Sequence, residues 1–409
     1  MHLLFDFYKQ FFLPVKLKLE MTNNKKSNKL LIKDDCIKMG NKKKISFFFP
    51  SLNFGGIEAN TIRLAKAFLR EGYLVDLVVS TSQGHYRERV PDQINIIDLK
   101  CNRIFKTLPK LINYIRKEKP SVVISASEGA NIVASICKSF IKNTSTKVII
   151  SIRTHLTTEY KKNSNKKNKF IMPLLSRIFY PKVDSIVAVS KGVADDASEF
   201  LKIPREKINV IYNPIVDETI EKLSKVKVNH KFFKENRDYV IILSVGRLTK
   251  QKDFKTLIYA FKEVKKSISC KLVIVGEGEE RGKLQSLIKK LGIEEDTDLV
   301  GFVQNPYCFM KNADLFVLSS AWEGFGNVIV EAMATGTNVV STNCPSGPSE
   351  ILDNGNFGEL VEVGDYIQLS KAIINTLKNP KPQKILKSRA KYFSVDNTLF
   401  EYKKLIEKV

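Results

Sequence analysis

Short apolar runs alternate with longer amphipathic stretches along the chain from Lys44 onward. In the first half, β-branched and aromatic runs predict strands over Ile45–Phe49, Leu74–Ser80, Ile94–Leu99, Ser121–Ser125, Val148–Ile152, Ser185–Val189 and Ile208–Tyr212. The stretches between them predict helices near Ile57–Glu71, Lys106–Lys117, Gly129–Ile141, Phe170–Tyr180 and Gly192–Leu201. Alternation of this kind indicates parallel β-α-β units whose sheet is covered on both faces.

The same alternation restarts after a polar connection. Asn213-Pro214 ends the first set, and the Lys- and Glu-rich stretch Ile215–Arg237 predicts a connecting helix and linker. Strands are then predicted over Tyr239–Val245, Lys271–Val275, Asp298–Val300, Leu315–Leu318, Asn338–Ser341 and Gly358–Val361. Helices are predicted near Asp253–Lys266, Glu279–Leu291, Asn327–Ala334, Gly347–Leu352, Tyr366–Leu377 and Phe393–Glu407. The pattern predicts two doubly wound α/β domains, with ligands expected in the cleft beyond the carboxyl ends of their strands.

The chain is strongly basic. Its 409 residues, too many for one ordinary core, carry a formal net charge of +24. Such a charge fits nucleic acid, an anionic membrane surface or acidic small substrates. Nucleic acid is the weakest of these, because the lysines are scattered and few arginine–aromatic clusters accompany them. The densest run, Lys161–Lys169, is either a solvated mobile loop or a membrane-facing segment.

Cysteine and histidine usage argues against disulfide bonds and metal sites. The six cysteines lie far apart without a C-x-x-C pair, and the four histidines lack metal-ligand spacing. These features favour a reducing cytoplasm. No apolar run approaches the length of a membrane span. The apolar segment His2–Val15 is either an interfacial amphipathic helix or a product of translation from an upstream start, since Met39 closely precedes the first predicted strand.

The segment WEGFGNVIVE carries the most informative pair of side chains. Glu323 lies in a Gly-rich turn, and Glu331 follows within an apolar helical segment after seven intervening residues. A carboxylate among apolar residues is costly unless hydrogen-bond donors meet it. A hydroxyl-rich ligand such as a ribose or hexose supplies such donors. The alternative is that Glu331 lies on a solvated helix face and Glu323 is a loop charge.

Two loops that follow strands carry candidate anion-binding groups. Gly55 and Gly56 come after the first strand and precede a helix, whose exposed N–H groups favour phosphate. The alternative is a tight turn without a ligand. Arg247 and Lys252 occupy the equivalent loop of the second domain and are able to neutralise a diphosphate. The alternative is two surface cations.

Three further features allow more than one interpretation. The segment from Gly276 to Gly282 imitates a dinucleotide fingerprint, but its G-x-G-x-x-x-G spacing favours a turn near a nucleotide. His155 follows a first-domain strand and is either structural or placed to bind a sugar hydroxyl or move a proton. Between a strand and a short helix, CPSGPSE supplies N–H and hydroxyl groups for a ligand, and Glu350 is expected to help cap that helix.

Taken together, these motifs resemble the retaining GT-B glycosyltransferases of family four. The resemblance runs from about Lys44 to the C-terminus and is strongest in these segments: SVGRLTKQKDF, LVIVGEGEER, LVGFVQN and ADLFVLSSAWEGFGNVIVEAMATGTNVVSTNCPSGPSEIL. FGGIE, SIRTH and VIYNP carry it more loosely in the first half. It implies a GT-B fold with an extension at 1–43, an acceptor domain at 44–225, a donor domain at 226–390 and a helix at 391–409 that crosses back.

The resemblance also implies roles for particular residues. Glu323 would contact the donor sugar together with the Gly324-Phe325-Gly326 backbone and the adjoining Asn327. Glu331 would bind the ribose, Arg247 and Lys252 the diphosphate with help from Gly55 and Gly56, and His155 would lie where donor meets acceptor. No metal or cofactor is expected, since no Asp-x-Asp is identified that would hold a metal against the diphosphate.

The resemblance further implies transfer of a hexose or N-acetylhexosamine from a nucleotide sugar, with UDP as the expected nucleotide. CPSGPSEIL is similar to the motif of the branch that builds bacterial capsule or O-antigen, which implies a glycan or lipid-linked acceptor at the inner face of the cytoplasmic membrane. Two other functions remain open: an NAD(P)-dependent oxidoreductase with tandem Rossmann domains, and a nucleic-acid or membrane-surface binding protein driven by charge.

Overall fold

The computed structural model describes residues 43–53, 55–162 and 168–409. The expectations for His2–Val15 and for most of the Lys161–Lys169 run concern residues outside these ranges. Within them, no helix is long and apolar enough to cross a bilayer.

Parallel strands of the first half form one sheet in the order β3-β2-β1-β4-β5-β6-β7. These strands are β1 (Lys44–Phe49), β2 (Leu74–Val79), β3 (Asn95–Asp98), β4 (Val122–Ala126), β5 (Lys147–Ile152), β6 (Ser185–Ala188) and β7 (Ile208–Val210). The accompanying helices are α1 (Gly56–Arg70), α2 (Leu108–Glu118), α3 (Glu128–Phe140), α4 (Leu156–Lys162), α5 (Asn168–Phe179) and α6 (Lys191–Leu201). Helix α7 (Glu218–Ser224) follows and packs against helices of the second domain.

The second sheet is also parallel, in the order β10-β9-β8-β11-β12-β13. Its strands are β8 (Val240–Val245), β9 (Cys270–Val275), β10 (Thr297–Gly301), β11 (Leu315–Leu318), β12 (Asn338–Thr342) and β13 (Glu359–Val361). The helices are α8 (Phe254–Val264), α9 (Arg281–Leu291), α10 (Tyr307–Asn312), α11 (Asn327–Thr335), α12 (Pro348–Ile351), α13 (Tyr366–Lys378), α14 (Gln383–Lys391) and α15 (Val395–Lys408).

Burial of both sheet faces explains the apolar strands. In β1, Ile45, Phe47 and Phe49 are buried against helix α1, while Phe48 between them is equally buried on the other face. Successive side chains of a strand point to opposite faces, so a strand covered on both sides reads as a continuous apolar run. The prediction of doubly wound sheets is confirmed.

The strand order reverses once in each sheet, between β1 and β4 in the first and between β8 and β11 in the second. Loops that leave neighbouring strands on opposite sides of such a point open a crevice at the carboxyl ends of the strands. The loop with Gly55 follows β1, the loop with Arg247 and Lys252 follows β8, and the loop with Glu323 follows β11. Sheet topology thus brings three of the sequence motifs to the two crevices.

Close backbone packing explains the glycines after β9. Gly276 has φ +145°, and a Cβ at this position would overlap the carbonyl oxygen of Gly246. A Cβ on Gly278 would overlap the backbone of Leu248. Only glycine allows the β9 loop to lie directly against the β8 loop. The prediction of turn geometry rather than a dinucleotide fingerprint therefore agrees with the structure.

The last helix, α15, returns to the first domain. Val395, Leu399, Tyr402 and Leu405 lie in the hydrophobic core that contains β1 and α1. The chain reaches this position through backbone hydrogen bonds from Val216 N to Phe393 O at 3.1 Å and from Val395 N to Val216 O at 3.0 Å. The C-terminal residues are therefore part of the first domain's core.

Candidate active site

A largely buried ion pair joins the loops after β8 and β11. Glu323 Oε1 accepts hydrogen bonds from Lys252 Nζ at 2.5 Å and from Ser320 Oγ at 2.7 Å. The side chains of Glu323 and Lys252 are only 8% and 15% exposed. The switch point of the second sheet thus places a predicted acid beside a predicted cation. Neither alternative, a plain loop charge or a surface cation, describes this pair.

Further contacts hold these two loops together. Ser319 Oγ donates to the Lys252 carbonyl at 2.9 Å, and Gln251 Nε2 donates to the Trp322 carbonyl at 2.9 Å. Buried Cys344 lies close enough to Glu323 to feel its charge. Burial, with a contribution from that carboxylate, raises the pKa of the Cys344 thiol to about 12. Cys344 is therefore a neutral thiol at neutral pH and a poor nucleophile.

The Glu58 carboxylate lies close to the glycine loop after β1 and feels the charge of Arg247. Arg247 is exposed, and its charge acts on Glu58 together with that of Arg153. Burial raises the pKa of the Glu58 carboxyl, and the two arginines oppose this shift. The Glu58 carboxylate lies so close to Gly55 that a Cβ there would overlap it. A carboxylate of the protein therefore lies at the helix start where phosphate was predicted.

Glu331 is mostly buried, which argues against the solvated-face alternative for this residue. It lies on helix α11 with its side chain 12% exposed. Oε1 accepts a hydrogen bond from the Tyr307 hydroxyl at 3.4 Å and lies 3.7 Å from Arg63 Nη2. Burial raises the pKa of the Glu331 carboxyl, and the nearby Arg63 cation opposes that shift. The arginine belongs to helix α1 of the first domain, so this contact crosses between the two domains.

The loop Gly324–Asn327 also contacts the first domain. Gly324 O accepts a hydrogen bond from Ser190 Oγ at 2.9 Å, and a Cβ on Gly324 would overlap the Arg153 carbonyl oxygen. Asn327 Oδ1 accepts from Asn213 Nδ2 at 2.9 Å. The predicted donor loop thus lies at the surface where the domains meet.

Within this loop, Phe325 and Gly326 have structural roles. The Phe325 side chain is buried and packs against Tyr212 and Phe393, with ring centroids 5.5 Å and 5.4 Å away. Gly326 immediately precedes helix α11 and has φ +97°, a conformation that favours glycine. The Phe325 side chain therefore faces the aromatic cluster, which leaves its backbone as the part able to face a ligand.

Glu350 caps a different helix from the one predicted. Its carboxylate accepts hydrogen bonds from the backbone N–H groups of Lys191 at 2.8 Å and Gly192 at 2.9 Å, at the start of first-domain helix α6. The Tyr212 hydroxyl also donates to it, at 3.2 Å. The prediction that Glu350 caps its own short helix was wrong, because the side chain points across the domain boundary.

His155 lies after β5 and is held by first-domain groups. Its Nδ1 is 3.1 Å from Asp196 Oδ1 and 3.2 Å from Thr158 Oγ1. Nδ1–H donation to the carboxylate places the lone pair of the neutral ring on Nε2. The His155 side chain is 21% exposed, so the ring is partly accessible. This geometry is compatible with both sequence-based interpretations, a structural one and a functional one.

Sequence reasoning missed several polar residues of this region. Arg153 stands in the SIRTH motif at the end of β5, and its Nη1 donates to Asn213 Oδ1 at 3.1 Å. A cation at the carboxyl end of a strand was a signal that could have identified it. Arg63 gave no such signal, because an arginine on an amphipathic helix is ordinarily a surface residue.

Among the described residues, no group of three or more His, Cys, Asp or Glu side chains is arranged to hold a metal ion.

Comparisons with known proteins agree with this architecture. Residues 226–393 match the family model described as Glycosyl transferases group 1, and residues 54–219 match the model described as Glycosyltransferase Family 4. The N-acetylgalactosamine-N,N'-diacetylbacillosaminyl-diphospho-undecaprenol 4-alpha-N-acetylgalactosaminyltransferase of Campylobacter jejuni is 32% identical over 364 residues, 85% of this chain and 94% of that protein.

Two further proteins are similar over most of the chain. The capsular polysaccharide biosynthesis glycosyltransferase CapM of Staphylococcus aureus is 28% identical over 319 residues, 75% of this chain and 81% of its own length. The crystal structure of Anabaena HepE in complex with UDP and glucose has a TM-score of 0.70 and 21% identity, covering 90% of this chain and 100% of that one.

The two parallel-sheet domains and this structural neighbour define the GT-B fold, and the family models and relatives define a glycosyltransferase. The predicted fold class and the predicted enzyme class are both confirmed. The chain belongs to glycosyltransferase family 4. The comparisons give no support to the oxidoreductase alternative.

Proposed function

We propose that this enzyme transfers a hexose or N-acetylhexosamine from a UDP-sugar, with retention of anomeric configuration, to a glycan or lipid-linked acceptor. The observation that carries this proposal is the contact of 2.5 Å between Lys252 Nζ and Glu323 Oε1 at the second switch point. A carboxylate there is able to accept hydrogen bonds from sugar hydroxyls. A cation beside it is able to hold the phosphate to which the sugar is attached.

The other roles follow from where the side chains lie. Glu331, in the first turns of helix α11, would accept a hydrogen bond from the ribose. Exposed Arg247 would meet the diphosphate with Lys252, and the N–H groups at Gly55 and Gly56 would approach it from the first domain. The diphosphate would then take the place of the Glu58 carboxylate, which now lies against Gly55.

Charge on the leaving group is the main electrostatic demand of the reaction. When the bond from sugar C1 to the phosphate oxygen breaks, negative charge accumulates on the UDP diphosphate. Arg247 and Lys252 would stabilise that charge without a divalent cation. This assignment makes the proposed enzyme metal-independent.

Retention requires the acceptor to enter on the face from which UDP leaves. The bond from C1 to the acceptor oxygen would form as the bond from C1 to phosphate breaks. The acceptor's proton would pass to the departing phosphate oxygen. His155, partly exposed after β5, would lie where the acceptor hydroxyl approaches and assist its orientation.

The proposed acceptor class is supported by the net charge of the chain and by the names of its relatives. The Campylobacter jejuni relative is named for a diphospho-undecaprenol substrate and the Staphylococcus aureus relative for capsular polysaccharide. A net charge of +24 suits work at an anionic membrane surface, where such a lipid-linked acceptor would reside. We therefore place the enzyme on the inner face of the cytoplasmic membrane. Binding to anionic but not to zwitterionic vesicles tests this placement.

A ligand panel tests the donor. Ligand-observed NMR with UDP-, GDP- and ADP-sugars and NAD should show binding of UDP-sugars, and incubation with lipid extracts should then yield a glycosylated lipid. NMR of the product's anomeric proton would report retention. Binding of NAD without binding of any nucleotide sugar would refute the proposal. An inverted product would refute the retaining mechanism alone.

A further inference from the structure

One arginine of the first domain reaches the acid that we assign to the ribose. Arg63 lies on helix α1, and its side chain is only 14% exposed. Its Nη2 donates a hydrogen bond to the Tyr307 hydroxyl at 2.7 Å and lies 3.7 Å from Glu331 Oε1. Its Nε lies 3.8 Å from Asp217 Oδ2, and its Nη1 donates to Asn60 Oδ1 at 3.2 Å. All three nitrogens of the Arg63 guanidinium therefore contact polar side chains of this cluster.

The cluster has the right chemistry to keep Glu331 charged. Tyr307 is buried, and burial raises the pKa of its hydroxyl, so the tyrosine remains a donor at neutral pH. A buried carboxylate is strongly destabilised unless cations and hydrogen-bond donors meet it. Arg63 is the cation that opposes the upward shift of the Glu331 pKa. Without Arg63, Glu331 would lose the cation that stabilises its charged form but would keep a neighbouring acid, Asp217.

The two contacts engage the same oxygen of the Glu331 carboxylate. Tyr307 and Arg63 both approach Oε1 of Glu331. Oε2 of the same carboxylate is then able to accept a hydrogen bond from a ribose hydroxyl. A charged acceptor held in one orientation binds a hydroxyl more tightly than one that must first be ordered.

We propose that Arg63 is a positioning residue for the nucleotide: it holds the Glu331 carboxylate ionised and oriented toward the ribose. This inference rests on the proposed function, since it presumes a nucleotide at Glu331. It also makes nucleotide binding depend on contact between the domains, because the arginine and the acid belong to different ones. Separation of the two domains would remove the compensating cation from Glu331.

The test compares Arg63→Gln and Arg63→Lys with the wild type and with Glu331→Gln. Arg70→Gln is the matched control, because Arg70 lies on the same helix but is 61% exposed. The UDP dissociation constant is measured by calorimetry, and KM for the UDP-sugar and kcat by an activity assay. Arg63→Gln should weaken UDP binding and raise KM by about tenfold, with kcat much less affected. Arg63→Lys should recover part of the loss, because it keeps the charge but not the fork.

A double-mutant cycle separates positioning from mere stability. If Arg63 acts through Glu331, adding Arg63→Gln to Glu331→Gln should change UDP affinity by less than about twofold. A purely structural arginine would lower the active fraction, and hence kcat, without changing KM. An Arg63→Gln effect of equal size in both backgrounds would overturn the inference, as would unchanged UDP affinity.

The remaining outcomes are also decisive. If Arg63→Gln does not fold, Arg63→Lys and Tyr307→Phe take its place, and wild-type affinity in both would overturn the inference. Unchanged affinity in the variants of a wild-type enzyme that binds UDP refutes the role of Arg63 and leaves the proposed function intact. Failure of the wild type itself to bind UDP refutes both.

Discussion

Lys252 and Glu323 are 71 positions apart in the sequence, yet Nζ of one donates to Oε1 of the other at 2.5 Å. Two loops on either side of a switch point bring them together, with Glu323 buried and Lys252 mostly buried. An ion pair buried at the carboxyl ends of parallel strands is a weak source of stability. The Lys252–Glu323 pair instead suits a ligand that has hydroxyl groups at one end and a negative charge at the other.

Replacing Glu323 should abolish transfer while the protein remains folded. Glu323→Gln keeps the size of the side chain and an acceptor for Ser320 but loses the charge. We expect kcat to fall by at least about 100-fold, the scale seen when a group that stabilises a transition state is removed. The exposed Glu362→Gln in the same domain is the control. Turnover close to that of the wild type would remove Glu323 from the proposed site.

Arg247 offers the cleanest test of the diphosphate assignment. Because it is exposed, Arg247→Ala should change the free energy of unfolding by less than about 0.5 kcal/mol. We expect kcat/KM for the donor to fall by about tenfold or more, because a charge-assisted contact with phosphate is lost. Lys250→Ala, an exposed cation of the same loop, should leave kcat/KM unchanged. Equal losses in both variants would indicate a general charge effect.

The cap made by Glu350 predicts a stability effect that spans both domains. Glu350→Ala removes the acceptor of two backbone N–H groups at the start of helix α6. We expect a loss of about 1–3 kcal/mol in the free energy of unfolding by urea titration. Glu294→Ala, at an exposed position, serves as the control. A variant as stable as the wild type would show that the contact contributes nothing.

The mostly buried Glu331 predicts a particular dependence of stability on pH. Burial raises the pKa of this carboxyl in the folded protein above its ordinary value of 4.5. The folded state therefore binds the proton more tightly, so the contribution of Glu331 is present below pH 4.5 and is lost as pH rises through the folded pKa. The free energy of unfolding of wild type minus Glu331→Gln should fall as pH rises from there. A difference that increases with pH would contradict this.

Metal independence is tested by chelation. If Arg247 and Lys252 neutralise the diphosphate, transfer should continue at its full rate in excess EDTA. The comparison enzyme is the same preparation supplied with Mg²⁺ or Mn²⁺. Loss of activity with EDTA and its return with one of these cations would show that the protein's own charges are insufficient.

Much of the fold was readable from the sequence, because it follows local patterns. Strand predictions such as Leu315–Leu318 agree with the structure at both ends, and most others differ by one or two residues. The short helices Leu156–Lys162, Tyr307–Asn312 and Gln383–Lys391 were missed. Gln383–Lys391 buries only Leu386 and Ala390, too few apolar positions to show a helical period.

The site was predictable only where a motif lies at the end of a strand. Glu323, Lys252 and Arg247 met that condition, because sheet topology alone fixes which end of the strands they occupy. Arg63 lies 244 positions from Tyr307, and nothing in either local sequence indicates that they meet. Glu350 likewise has a helix of its own to cap and instead caps one 158 positions away. Such contacts depend on how the domains pack.

The position of helix α15 has a consequence for biosynthesis. Leu399, Tyr402 and Leu405 fill the core around the very first strand of the catalytic unit. These residues follow the whole second domain in the sequence, whereas domains near the start of a chain ordinarily fold while synthesis continues. Part of the first domain's apolar surface must therefore stay uncovered until the second domain and helix α15 have been synthesised. A chain truncated before helix α15 would have a complete second domain and an unfinished first one.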